Sequence, residues 1–144
     1  MKMLFHAILI CAGLAITARA GDQSIDSKNL PGTWLPVRAE LGGHALSDEA
    51  LKRITLKLDN GKYEVIAESL DKGTYTADTT AKPYTMDITG VEGANAGKKI
   101  AAIYEINGDT LRVCYELGDG PRPTEFKCPG ASHIFLVTYK RKHG

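Results

Sequence analysis

Two Asn-Gly turns set inside runs of alternating hydrophobicity constrain this chain more than any other feature. Ile54, Leu56 and Leu58 alternate with Thr55 and Lys57, Asp59-Asn60-Gly61 follows, and Tyr63, Val65 and Ala67 resume the alternation. A period of two puts one set of side chains on one face of a strand, and Asn-Gly accepts the positive φ of a tight hairpin turn. The arrangement returns as Ile100 to Ile106, Asn107-Gly108-Asp109 and Thr110 to Leu117, the clearest hairpin in the chain. Such a chain folds as sheet.

The remaining segments fit the same pattern. Trp34 to Leu41 is the first expected strand, ended by Gly42-Gly43. A short helix from Ser47 to Leu51 follows, with Ser47 as its cap and Asp48 and Glu49 at its positive end. Thr74 to Asp78 and the alternating Tyr84, Met86 and Ile88 give two more strands, and His133 to Lys140 gives the last. Gly90–Gly97 is expected to be flexible and free of strand, and Gly118–Gly130 is a Gly/Pro-rich loop. The expectation is all-β: about eight antiparallel strands closing as an up-and-down barrel, which leaves no exposed edge, with one short helix after the first strand. No repeat or linker divides it, so 30–144 reads as one domain.

The beginning of the chain reads differently. Lys2, the apolar stretch Leu4 to Ile16 and Ala18-Arg19-Ala20 have the order of an export signal, giving a removable segment 1–20 and cleavage before Gly21. The stretch is shorter than the roughly 20 residues of a spanning helix and no second one follows, so no membrane span is expected. Cys11 lies inside the apolar core with Ile10 before it, which argues against a lipidated cysteine. The expected address is periplasmic or extracellular, with 21–29 a mobile lead-in. Without Lys2 and Arg19, eighteen basic residues become sixteen against seventeen acidic ones, a formal charge of −1. That balance gives no electrostatic case for nucleic acid, and Lys140-Arg141-Lys142 is too short to change it.

Cys114 and Cys128 are the cysteines left after removal of the signal. An even pair in an oxidising destination leads to the expectation of a disulfide, worth roughly 3 kcal/mol in the chain-entropy model. Two buried free thiols are the rival reading. A metal pair is disfavoured, since only His133 lies nearby and no zinc spacing is present.

Leu30-Pro31-Gly32-Thr33-Trp34, Asp48-Glu49-Ala50-Leu51-Lys52, Gly73-Thr74-Tyr75 with Asp78, and Lys82-Pro83 with Met86-Asp87-Ile88 resemble a family of exported lipocalin-like proteins of planctomycete bacteria. So do Ile103-Tyr104-Glu105, the run Gly108 to Cys114, and Arg122-Pro123-Thr124-Glu125-Phe126. The resemblance covers nearly all of the chain beyond the signal. It implies a calycin-type barrel with a Gly-x-Trp start, in which Trp34 closes one end and a basic residue of the last strand packs across its ring. Arg141 is the residue placed for that part, with Lys140 and Lys142 as alternatives.

The first strand carries a question of phase. Strict alternation puts Trp34, Pro36, Arg38 and Glu40 on one face, so an inward Trp34 brings two charges with it. A bulge at Pro36 would switch the phase and send Arg38 and Glu40 to solvent. Without one, Arg38 faces the interior and could anchor an anion.

Catalytic constellations are thin. His44, His133 and His143 are far apart without metal-ligand spacing, Gly93 to Lys99 fails the phosphate-loop spacing, and Asp48-Glu49 is explained by capping. No enzyme, cofactor or metal is expected. Two function classes remain. One is a carrier of a small apolar or amphipathic ligand, with Arg38, Tyr63, Val65, Tyr104, Val113 and Tyr115 as candidate interior residues. The other is a protein-binding or inhibitory module using the loops 90–97 and 118–130 on a filled barrel, with Arg122 and Phe126 as contact residues.

Overall fold

The computed structural model describes residues 29–143. The calls on the signal segment, its cleavage and nearly all of the lead-in therefore lie outside the described residues. Nine strands and one helix follow in order: β1 (Gly32–Leu41), β2 (His44–Ala45), α1 (Asp48–Lys52), β3 (Thr55–Asp59), β4 (Lys62–Ile66), β5 (Leu70–Asp78), β6 (Tyr84–Glu92), β7 (Lys99–Asn107), β8 (Thr110–Glu116) and β9 (Ile134–Arg141). Each strand from β3 to β8 pairs antiparallel with its successor, β1 pairs with β3, and a β1–β9 pairing closes the ring. The result is a closed eight-stranded antiparallel barrel, with β2 as a two-residue addition to the end of β1.

Local chemistry explains the elements. Asn60 takes φ 44° in the β3–β4 turn, a value Asn tolerates better than most residues. The Ser47 hydroxyl accepts from the Ala50 amide at 3.2 Å, and α1 buries Leu51 against the barrel. Strand β5 begins at Leu70, earlier than the Thr74 expected from the pattern. Strand β6 runs on to Glu92, and Gly90 forms a parallel bridge with Ala96, so the 90–97 segment is ordered by pairing, contrary to the expectation.

The phase question on β1 is resolved by a bulge. Its register against β9 shifts between Pro36 and Arg38. Trp34 and Pro36 are buried, Val37 and Arg38 are both exposed, and Ala39 is buried again. One extra residue thus returns the strand to an inward apolar phase, and it falls beside the proline, which has no N–H to give the ladder.

Two apolar layers result. The inner one faces the barrel interior and includes Leu30, Trp34, Leu56, Tyr104, Leu111, Val113 and Val137. The outer one is small: Ile103, Cys114 and Ile134 on the outside of β7–β9, covered by Phe126, Cys128 and Leu136. The β8–β9 connection therefore folds back over the barrel wall instead of standing off its rim.

Candidate functional site

The two ends of the barrel are built differently. At the lower end the chain enters β1 and leaves β9, and Trp34 sits opposite Arg141 in the register. Trp34 is completely buried, and its indole N–H donates to the Leu30 carbonyl at 2.9 Å. The Arg141 guanidinium lies 4.3 Å from the ring centroid. It also donates to the carbonyls of Pro31 (2.9 Å) and Asn29 (2.6 Å) and to Asp109 (3.0 Å). Gly32 has φ +146°, and a Cβ there would stand 2.7 Å from Arg141 Nη1. The glycine of Gly-x-Trp thus makes room for the guanidinium that covers the tryptophan. The hydrogen bond from His143, with Arg141 beside it, holds the Asp109 carboxyl below the usual range. Arg141 thus lies across the Trp34 ring, the placement the resemblance implies. Lys140 instead reaches the Thr110 hydroxyl at 2.6 Å.

Above this plug the interior is open. A cavity of about 210 Å³ rises from the level of Leu58 and Leu111 to Ile54, Ala67, Asn95 and Leu117 at the upper end. Tyr63, Val65, Val113 and Tyr115 line it, as the alternation predicts. Tyr104 does not. It is fully buried and packs on Tyr84 with ring centroids 5.4 Å apart, filling the core instead of facing the cavity. Alternation gave its face correctly but not its depth in the barrel.

Arg38 is also corrected. The bulge turns it to the outer wall, where its side chain is 78 % exposed and pairs with Glu40 at 3.6 Å. It borders an outer groove with Arg112, Phe126 and Lys127 and contributes nothing to the interior.

The charged residue that does line the cavity is Asp71, which the sequence reading missed. It faces inward near the start of β5, opposite Val65 in the register. The Tyr63 hydroxyl donates to Asp71 Oδ1 at 3.1 Å, and Asn95 Nδ2 donates to Oδ2 at 2.6 Å. Asn95 is delivered by the 93–97 segment, which folds across Gly90 so closely that a Cβ there would stand 1.8 Å from the Asn95 carbonyl oxygen. Burial, then the neighbouring Asp71 charge, pushes the Tyr63 hydroxyl well above its ordinary value. A second polar pair lies within the wall: Tyr115 and Tyr139 share a hydrogen bond of 2.9 Å. Burial raises Tyr115 to about 12 and Tyr139 well above its ordinary value.

The loop residues named as partner contacts are occupied structurally. Arg122 Nη1 donates to the carbonyls of Met86 (3.1 Å) and Ala102 (3.0 Å), and its other terminal nitrogen pairs with Asp87. Phe126 is half-buried on the outer layer with the Arg112 guanidinium 4.3 Å from its ring centroid. Both tie the long loop to the wall.

The cysteines form no disulfide. Both are free thiols. Cys114 is fully buried under the loop, its Sγ 3.6 Å from the Glu125 carbonyl and 3.8 Å from that of Lys127. Cys128 Sγ is directed elsewhere, 3.3 Å from the Ile134 carbonyl and 3.2 Å from the Gly43 amide. The loop path gives each thiol its own backbone partners, and burial pushes the Cys114 thiol up.

Among the described residues no three His, Cys, Asp or Glu side chains gather as a metal site, and no helix is long and apolar enough to cross a membrane. Fold and cavity together define a closed antiparallel barrel, plugged at one end and hollow towards the other. No protein-family model, curated protein or solved structure matches the chain.

Proposed function

We propose that this chain is a non-catalytic, lipocalin-like binding barrel that takes a small compound with an apolar body into its interior. The observation that supports this reading is the 210 Å³ cavity with its mostly apolar wall. Its volume exceeds the roughly 150 Å³ of an engineered cavity that admits benzene and falls below the roughly 300 Å³ of the smallest drug-sized pockets. An occupant of one or two small rings suits it better than a long acyl chain. The protein-docking alternative loses support, because Arg122 and Phe126 are engaged with the barrel's own wall. Placement outside the cytoplasm rests on the composition of residues 1–20 and belongs to the same proposal.

The test is direct titration by calorimetry with 2-phenylethanol, a neutral probe of one ring. Saturable one-to-one binding is expected. Val65→Phe and, separately, Ala67→Phe place a ring in the cavity wall and should abolish binding while the far-ultraviolet circular dichroism stays that of a sheet. Binding unaffected by both substitutions would overturn the carrier reading, and so would absence of saturable binding of this probe together with its amine and acid analogues.

A further inference from the structure

We infer that the compound this barrel takes carries a protonated amine, seated on Asp71, at the upper end of its apolar body. The inference rests on the carrier reading above and adds the chemistry of the ligand's head.

Asp71 is the one charged side chain among the residues lining the cavity, and no Lys, Arg or His stands with it. A carboxylate offers about four lone-pair sites. Tyr63 and Asn95 take one on each oxygen, so acceptor capacity remains on both. No ion pair involving Asp71 is formed among the described residues. The two donors are neutral, and they orient the carboxylate without cancelling its charge.

Filling the cavity changes what the carboxylate requires. A wholly apolar occupant displaces water from the mouth and strands the remaining lone pairs, which is costly for a charged group. A carboxylate ligand adds like-charge repulsion and finds no cation in the wall. An ammonium group restores both the hydrogen bonds and the counter-charge, and charge-assisted bonds of this kind are the strong ones. The wall suits the same ligand. Five lining residues are aromatic (Tyr63, Tyr75, Tyr115, Phe135 and Tyr139), and ring faces attract cations.

The experiment compares three probes of one shape at neutral pH: phenethylamine, 2-phenylethanol and phenylacetate, each titrated calorimetrically into the unmodified protein. Phenethylamine should bind at least roughly tenfold more tightly than 2-phenylethanol, with no measurable binding of phenylacetate. Asp71→Asn should remove the preference, lowering amine affinity by roughly tenfold without weakening the alcohol. Tyr63→Phe removes a donor but keeps the charge, so it should retain the amine preference. If Asp71 merely ordered the mouth, both variants would weaken the alcohol and the amine alike. Equal or tighter binding of the alcohol or the acid would overturn the amine inference while the carrier reading survives. Amine affinity unchanged in Asp71→Asn would do the same. Failure of all three probes would overturn both. Melting temperatures of the two variants show whether each is folded when titrated.

Discussion

At the lower end of the barrel one guanidinium reaches a ring, two carbonyls and a carboxylate, and one indole fills the space beneath it. At the upper end the inward side chains stop short of one another, and a carboxylate held by two neutral donors stands at the edge of the gap. Both ends belong to the same eight-stranded ring, with the same pairing and turn chemistry. What differs is how the interior is used. Close packing and satisfied polar groups support stability below, and unfilled volume with spare acceptor capacity supports binding above. Substitutions at the two ends should therefore separate stability from ligand affinity.

The largest effect should come from Trp34→Ala. It removes a fully buried ring and leaves the Leu30 carbonyl without its donor, at a cost of about 3–5 kcal/mol by the usual range for large aromatic truncations. Urea unfolding measures this, and a loss below 1 kcal/mol (on the order of a surface substitution) would mean that the plug does not hold the barrel. Arg141→Ala should follow at about 2 kcal/mol, combining a partly desolvated cation–π contact with charge-assisted hydrogen bonds. Trp34 is the only tryptophan, so its emission should shift in the same variant. An unchanged spectrum with an unchanged melting temperature would remove Arg141 from the plug.

At the hollow end the same size of change should cost much less. Val65→Phe adds volume to a wall that borders empty space, so we expect under about 1.5 kcal/mol of destabilisation, together with loss of ligand binding. A larger stability loss would show that the upper interior is packed after all.

Alkaline titration gives a subtler measure. Tyr63, Tyr115 and Tyr139 are all raised, chiefly by burial, and Tyr115 lies at about 12. A group whose folded value exceeds its unfolded value of about 10 stabilises the fold fully below that pH. The contribution is lost as the pH rises from about 10 towards the folded values. Phenolate absorbance should thus lag behind that of the unfolded chain and then rise with unfolding. Ordinary titration of all six tyrosines in the folded protein would contradict the buried wall. The smallest effect concerns the thiols: native alkylation should modify the half-buried Cys128 well before the fully buried Cys114, with neither requiring reduction first. Recovery of a linked Cys114–Cys128 peptide without reductant would count against two separate thiols.

Legibility from sequence followed the range of the forces involved. Hairpins and the capped helix depend on neighbours in the chain, and these were readable. The packing of Arg141 on Trp34 joins the two ends of the barrel sequence and was reached only through the resemblance carried by Gly-x-Trp. Arg38 was legible only as a choice between two faces, because a bulge at Pro36 can be posed from the sequence but its presence depends on the pairing with β9. Asp71 escaped for a related reason. Leu70-Asp71-Lys72-Gly73 has the composition of a turn, and only its pairing with 62–66 makes it strand. Tyr104 and Val113 share the inner face and even a register pair, yet one fills the core and the other lines the cavity. Alternation encodes direction, and depth depends on every other side chain in the barrel. The cysteines show the same limit, since an even count says nothing of the path a loop takes between them.

The β1–β9 seam has a consequence for the chain as a topological object. The Lys142 amide donates to the Thr33 carbonyl at 2.8 Å, so the entry to β1 and the exit from β9 lie side by side at the plugged end. Apart from the short β2 and α1 excursion, walking along the chain is the same as walking once around the ring. Such a ring has no privileged starting strand. Joining residue 29 to residue 143 by a short linker and cutting the β4–β5 turn at Ser69 would produce a circular permutant with the same neighbours throughout. Its new termini would emerge beside the mouth, where a fused partner could gate the cavity. In the natural order β1 begins and β9 ends at the opposite side of the barrel.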